Sequence, residues 1–98
     1  MLELVKNAIE GRRNLILHYD PGARSIEPHA VGYSSSGEIL LRAYQTSGAS
    51  ASGEPANWKL FRLDRALSVD DGGAVFDGPR PEYRRGDRAM RGGIIAQL

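Results

Sequence analysis

Apolar and polar positions alternate through most of this chain, and the alternation changes period once. Leu2, Val5 and Ile9, with Leu4 and Ala8, form a stripe at helical spacing that stops at Gly11. The stripe predicts one short amphipathic helix. From Asn14 the period falls to two. Leu15, Leu17 and Tyr19 share one face of a strand, and Ile16 and His18 share the other. Asp20-Pro21-Gly22 reads as a turn. A second strand runs from about Ser25 to Tyr33. Pro28 cannot donate to a ladder, so this strand is expected at an edge or bulged at that point. Ser34 to Gly37 turns the chain, and Glu38 to Gln45 is the most apolar strand. Trp58 to Leu63 is the fourth strand. Asp64-Arg65 makes a tight connection to a short fifth strand, Ala66 to Val69, and Asp70-Asp71-Gly72-Gly73 closes the β region.

Two stretches fall outside this pattern. Thr46 to Asn57 is rich in Ser, Gly and Ala and reads as a mobile loop or lid. From Asp77 onward, Gly78-Pro79-Arg80-Pro81 breaks regular structure. An arginine run, Arg84, Arg85, Arg88 and Arg91, precedes the apolar Ile94-Ile95-Ala96-Gln97-Leu98. The default reading is a solvated, irregular tail over 77–98, with contact of its arginines to a nucleic-acid backbone as the alternative, and its apolar end can dock on this chain or on a neighbour. The expected organisation is thus one β unit over 1–76 followed by that tail. The fold class is mainly β: a small five-stranded antiparallel barrel with a short N-terminal helix.

Composition narrows the function. The 98 residues suit one domain with a modest core, which oligomerisation would help. No apolar run approaches the ~18 residues of a membrane helix, and no basic-then-apolar leader opens the chain. With no cysteine, disulfides and thiolate metal sites are excluded. A cytoplasmic protein is the expectation. A net charge of +1 argues against a general nucleic-acid coat. The charge is unevenly placed, however. Residues 64–79 hold one Arg against four Asp, whereas 80–98 hold five Arg against Glu82 and Asp87. Only two of the thirteen basic residues are Lys, a skew that favours planar, bidentate recognition of phosphate or carboxylate, although GC-rich coding produces the same skew.

The candidate chemistry is an arginine–tyrosine set. Arg42 and Tyr44 share a face of the third strand. Arg62 shares the face of Trp58 and Leu60. Arg24 and Arg65 lie at strand ends, where side chains converge on a barrel rim. Each arginine has two readings: contact with an anionic ligand, or a pair with Glu27, Asp64 or Asp20 that closes the barrel. Trp58 reads as core, along with Phe61, Leu41 and Leu17. His18 and His29 lack metal-ligand spacing, and Glu27 with His29 reads as a solvated or cross-strand polar pair. No nucleophile elbow or phosphate loop is present, so neither an enzyme nor a cofactor is expected.

Four phrases, in order and spacing, carry a family resemblance: Arg12 to Tyr19, Arg24-Ser25-Ile26-Glu27-Pro28, Ile39 to Tyr44, and Lys59-Leu60-Phe61-Arg62-Leu63-Asp64-Arg65. From about Leu4 to Val69 the chain resembles the WYL domain family. Those domains are Sm-like barrels, usually attached to winged-helix transcription regulators. The tripeptide that names the family falls on Ile39-Leu40-Leu41, without its Trp and Tyr. The resemblance implies a ligand sensor for a nucleotide, an oligonucleotide or another anion, with Tyr19, Arg24, Arg42, Tyr44, Arg62 and Arg65 as contacts. Because the chain lacks room for the winged-helix segment of those regulators, it is expected either to work with a separate DNA-binding regulator chain or to bind its ligand for another purpose. The alternative is an oligomerisation module that pairs edge strands, covers a neighbour with Ile94 and Ile95, and binds no anion.

Overall fold

A computed structural model describes residues 1–98. Helix α1 spans Leu2–Gly11. Ten residues are marginal as an isolated helix. Burial of Val5 and Ile9, about 2 kcal/mol each, holds α1 against the sheet. Arg12, one residue past Gly11, takes the left-handed cap conformation, and its N–H returns to the carbonyls of Ala8 and Ile9.

Six strands follow: β1 (Arg13–Tyr19), β2 (Gly22–Tyr33), β3 (Ile39–Gly48), β4 (Asn57–Arg62), β5 (Ser68–Val75) and β6 (Gly93–Gln97). A 3-10 turn, Leu63–Arg65, joins β4 to β5 and matches the tight connection expected there. All pairings are antiparallel, in the order β4-β3-β2-β1-β5, with β6 added on β2. The mainly β class with one N-terminal helix is therefore correct, but the closed barrel is not what the chain forms. β4 and β5 end the sheet without pairing with each other, so it stays open. Its β5 edge carries Asp70-Asp71-Gly72-Gly73, a poor template for a further strand.

Pro28 explains how one strand serves three neighbours. β1 leaves the edge of β2 after Ile26, and β6 takes it up at Ala30. Pro28 lies in the gap, where no ladder partner asks for its missing N–H, and a register shift between Pro28 and Ala30 marks a bulge.

The sheet is apolar on both faces. On the inner face Leu15, Leu17, Ile26, Val31, Leu41, Ala43 and Phe61 form one core with Val5, Ala8 and Ile9 of α1. On the outer face Ala30 and Leu40 pack against Met90, Ala89 and Ile94. The irregular, solvated tail is thus corrected. Residues 77–92 cross the outer face as a strap, and β6 joins the sheet. Ile95, Ala96 and Leu98 pack against the main core of the same chain, so the apolar terminus docks in cis. β5 also runs through the Asp-Asp-Gly-Gly segment expected to end the β region, because Arg13 grips Asp71 and Asn14 Oδ1 accepts from the Ala74 N–H.

Candidate anion-binding groove

The strap is fixed to the outer face by two guanidinium–carboxylate forks. Arg80 donates to both Glu27 oxygens at 2.8 and 3.1 Å and lies 4.4 Å over the Tyr44 ring. Arg42 donates to both Asp87 oxygens at 2.7 and 3.3 Å. Burial works against the Asp87 carboxylate, yet the Arg42 fork and the Ala89 N–H hold its pKa below the ordinary value. Such shielded forks are stronger than exposed ion pairs.

Between the forks lies an aromatic cluster. Trp58 and Tyr83 are near-parallel, 6.1 Å apart, and His29 sits beneath them at 4.7 Å from Trp58 and 5.1 Å from Tyr83. Trp58 Nε1 donates to the Pro81 carbonyl, and the Tyr83 hydroxyl donates to His29 and Leu98 carbonyls. Burial raises the Tyr83 pKa, so the phenol stays a neutral donor. Trp58 is half-buried rather than core, since it shares the outer face with Leu60 and Arg62 while Phe61 points inward. His29 is fully buried, so the solvated pair with Glu27 is corrected: the imidazole bonds the Glu27 carbonyl, and Arg80 takes the carboxylate.

Trp58 and Tyr83 form the floor of an open groove of about 610 Å³, edged by Arg42, Arg84, Arg85 and Arg88, with Glu82 and Asp87. Arg42 is spent on Asp87. Arg84, Arg85 and Arg88 are exposed, and none forms a hydrogen bond or ion pair of its side chain within the chain. Three free guanidiniums beside two half-buried rings can take phosphate or carboxylate oxygens while a flat group lies on the rings. The volume is that of an ordinary small-ligand site.

The six residues singled out in the sequence separate. Arg42 and Tyr44 come to the strap, Arg42 at the groove itself and Tyr44 beneath Arg80. Tyr19 and Arg24 lie together on the inner face. Arg24 is 4% exposed and donates to the carbonyls of Tyr19 and Asp20 and to Gln45 Oε1. Its guanidinium stands 5.2 Å from the Tyr19 ring and 5.4 Å from Phe61. Arg62 is held between Glu38 and Asp64. Arg65 is exposed on the 3-10 turn, without an ion pair. Tyr83, Arg84, Arg85 and Arg88 come from the segment read as a solvated arm. The one local signal was a tyrosine beside paired arginines. The 49–56 loop does not border the groove; Ala49 bonds Ala23 and Gln45 at the Arg24 end. No three histidine or carboxylate side chains converge as a metal would require, and no helix is long and apolar enough to cross a membrane.

Compared with protein-family models, curated proteins and solved structures, the chain matches none.

Proposed function

We propose that this chain is a non-enzymatic module that binds an anionic ligand, a nucleotide or a short single-stranded nucleic acid, in the groove between strap and sheet. The observation that carries the reading is the set of three unpartnered arginines, Arg84, Arg85 and Arg88, beside Trp58 and Tyr83. Guanidiniums supply the phosphate contacts, and the rings supply a platform that accepts any base. The N-terminal helix and antiparallel strands are compatible with the WYL-like reading of the sequence, although the open sheet departs from its Sm-like barrel; on that reading the module works in transcription regulation or nucleic-acid processing beside a separate DNA-binding chain. Tyr44 and Arg42 then act by holding the strap. Arg65 is a second, isolated contact point.

Fluorescence anisotropy with short labelled single-stranded DNA and RNA at two salt concentrations tests this. Wild type should bind, more weakly at high salt. Arg84→Ala/Arg85→Ala/Arg88→Ala should lose roughly tenfold or more in affinity and flatten the salt dependence, by about 0.7 in log–log slope per lost phosphate contact. Arg24→Lys, at a buried position, should leave the salt slope unchanged. Equal binding by wild type and the triple variant would refute the groove.

One observation favours an interaction module instead. The outer edge of β4 has no partner, and Leu60 on it is exposed. That reading gives a stable oligomer with no anion affinity, which sedimentation at several concentrations would reveal.

A further inference from the structure

We infer that neutral His29 is the latch of the strap, and that protonation of His29 releases residues 77–92 and so dismantles the groove. The ring is completely buried, with both nitrogens committed to opposite roles. Nδ1 lies 2.8 Å from the Glu27 carbonyl, which can only accept, so Nδ1 carries the hydrogen. Nε2 lies 3.1 Å from the Arg80 backbone N–H, which can only donate, so Nε2 presents a lone pair. An imidazolium has N–H on both nitrogens. At Nε2 it would set donor against donor at the residue where the strap begins its forks.

The groups around the ring do not rescue the charged form. From β2, Glu27 attracts a charge on His29, but its carboxylate is already forked by Arg80 of the strap, whose own charge repels. Tyr83 of the strap is a neutral phenol, and Phe76 stacks on the ring at 5.6 Å. Trp58 comes from β4, and at the chain end the Leu98 N–H donates to the His29 carbonyl while a Leu98 oxygen accepts from the Tyr83 hydroxyl. Burial is the largest influence on His29 and lowers its pKa from 6.5. A group whose folded pKa is depressed stabilises the neutral form above its free value. The latch is therefore complete above about pH 6.5 and weakens as pH falls below it. His18, the other histidine, sits on β1 with Asp70, away from the strap.

The consequence for the ligand rests on the groove reading, whereas the latch itself can be measured without a ligand. Ring nuclei of both histidines and backbone amide exchange would be followed by NMR from pH 8 to 5. His29 should hold the Nδ1–H tautomer and titrate below the free-histidine value of 6.5. Opening of Arg80 and the β6 amides, corrected for intrinsic exchange rates, should rise by about tenfold per pH unit below 6.5, with the β1–β2 amides still protected. His29→Gln, whose amide can keep both bonds without titrating, should abolish the rise. The inference is overturned if wild-type His29 titrates at or above the free-histidine value of 6.5, or if strap and core open together. A rise of the same size in His29→Gln would also overturn it. Oligothymidylate, which has no group titrating in this range, gives the second arm. Its affinity should fall in wild type in proportion to the closed fraction, by about tenfold at the pH where roughly nine straps in ten are open. Strap release without that fall would uphold the latch and sink the groove reading.

Discussion

Arg24 shows how much depends on which face a single residue occupies. It lies two positions before Ile26 on the same strand, so period-two alternation sends both side chains to the inner face. Its charge is buried without a carboxylate, balanced by two backbone carbonyls, Gln45 and the faces of Tyr19 and Phe61. Arg24→Ala removes these and leaves the carbonyls of Tyr19 and Asp20 short of a donor. Urea unfolding should show a loss of about 3 kcal/mol. The sequence sets Arg24 at a strand end on a rim, and the structure buries it on the inner face instead, because β2 begins at Gly22 rather than near Ser25. Its bonding was not legible either, because Gln45 and the Asp20 turn meet Arg24 only once β1, β2 and β3 are assembled. Arg62 and Asp64, two residues apart, form a pair that the sequence did suggest.

At the scale of elements, local pattern located α1 and β1 to β4 within a few residues, because each has its own hydrophobic period and turn residues. It missed β6 and most of β5 for a physical reason. Gly93–Gln97 is too short to show a period, and it is stabilised by pairing with Ala30 to Tyr33, some sixty residues away. β5 is held by its ladder to β1, by the Arg13 fork to Asp71 and by the bond from the Ala74 N–H to Asn14, rather than by an apolar period of its own. Close backbone approach makes the β2–β6 contact sensitive. A Cβ on Gly32 would stand 2.6 Å from the Gly93 carbonyl oxygen and 3.0 Å from Met90 Sδ. Gly32→Ala should cost about 2 kcal/mol and raise amide exchange first in β6. Ile94→Asp/Ile95→Asp should unfold the strap of a single chain, seen as a loss of Trp58–Tyr83 stacking in near-UV dichroism. Dissociation of an oligomer with the strap intact would instead favour the interaction module.

For the whole molecule, charge placement matters more than net charge. The net charge of +1 conceals free arginines at the strap and exposed Asp70 and Asp71 on β5. Sequence composition already showed that asymmetry, but the two regions are joined to function only by the outer-face packing that turns an arginine run into one wall of a groove. Acid should act in two stages. The strap loosens as pH falls below about 6.5, because His29 takes a proton more readily in the released strap than in the packed one. The Asp64, Asp71 and Asp87 carboxylates are held below 3.8 by their guanidinium partners, with Asp87 opposed by burial. Their stabilisation is present above 3.8 and is lost as pH falls further. Circular dichroism against pH should accordingly show an early near-UV change and a later far-UV collapse.

The most direct test of the groove is an NMR titration of labelled protein with oligothymidylate at low salt and pH 7.5. Trp58 is the only tryptophan, so its indole N–H is a single unambiguous signal. That signal and the amides of residues 82–88 should shift together and saturate with one affinity. Shifts centred on Tyr19 to Arg24 or on Arg65, with the Trp58 indole unmoved, would contradict the account.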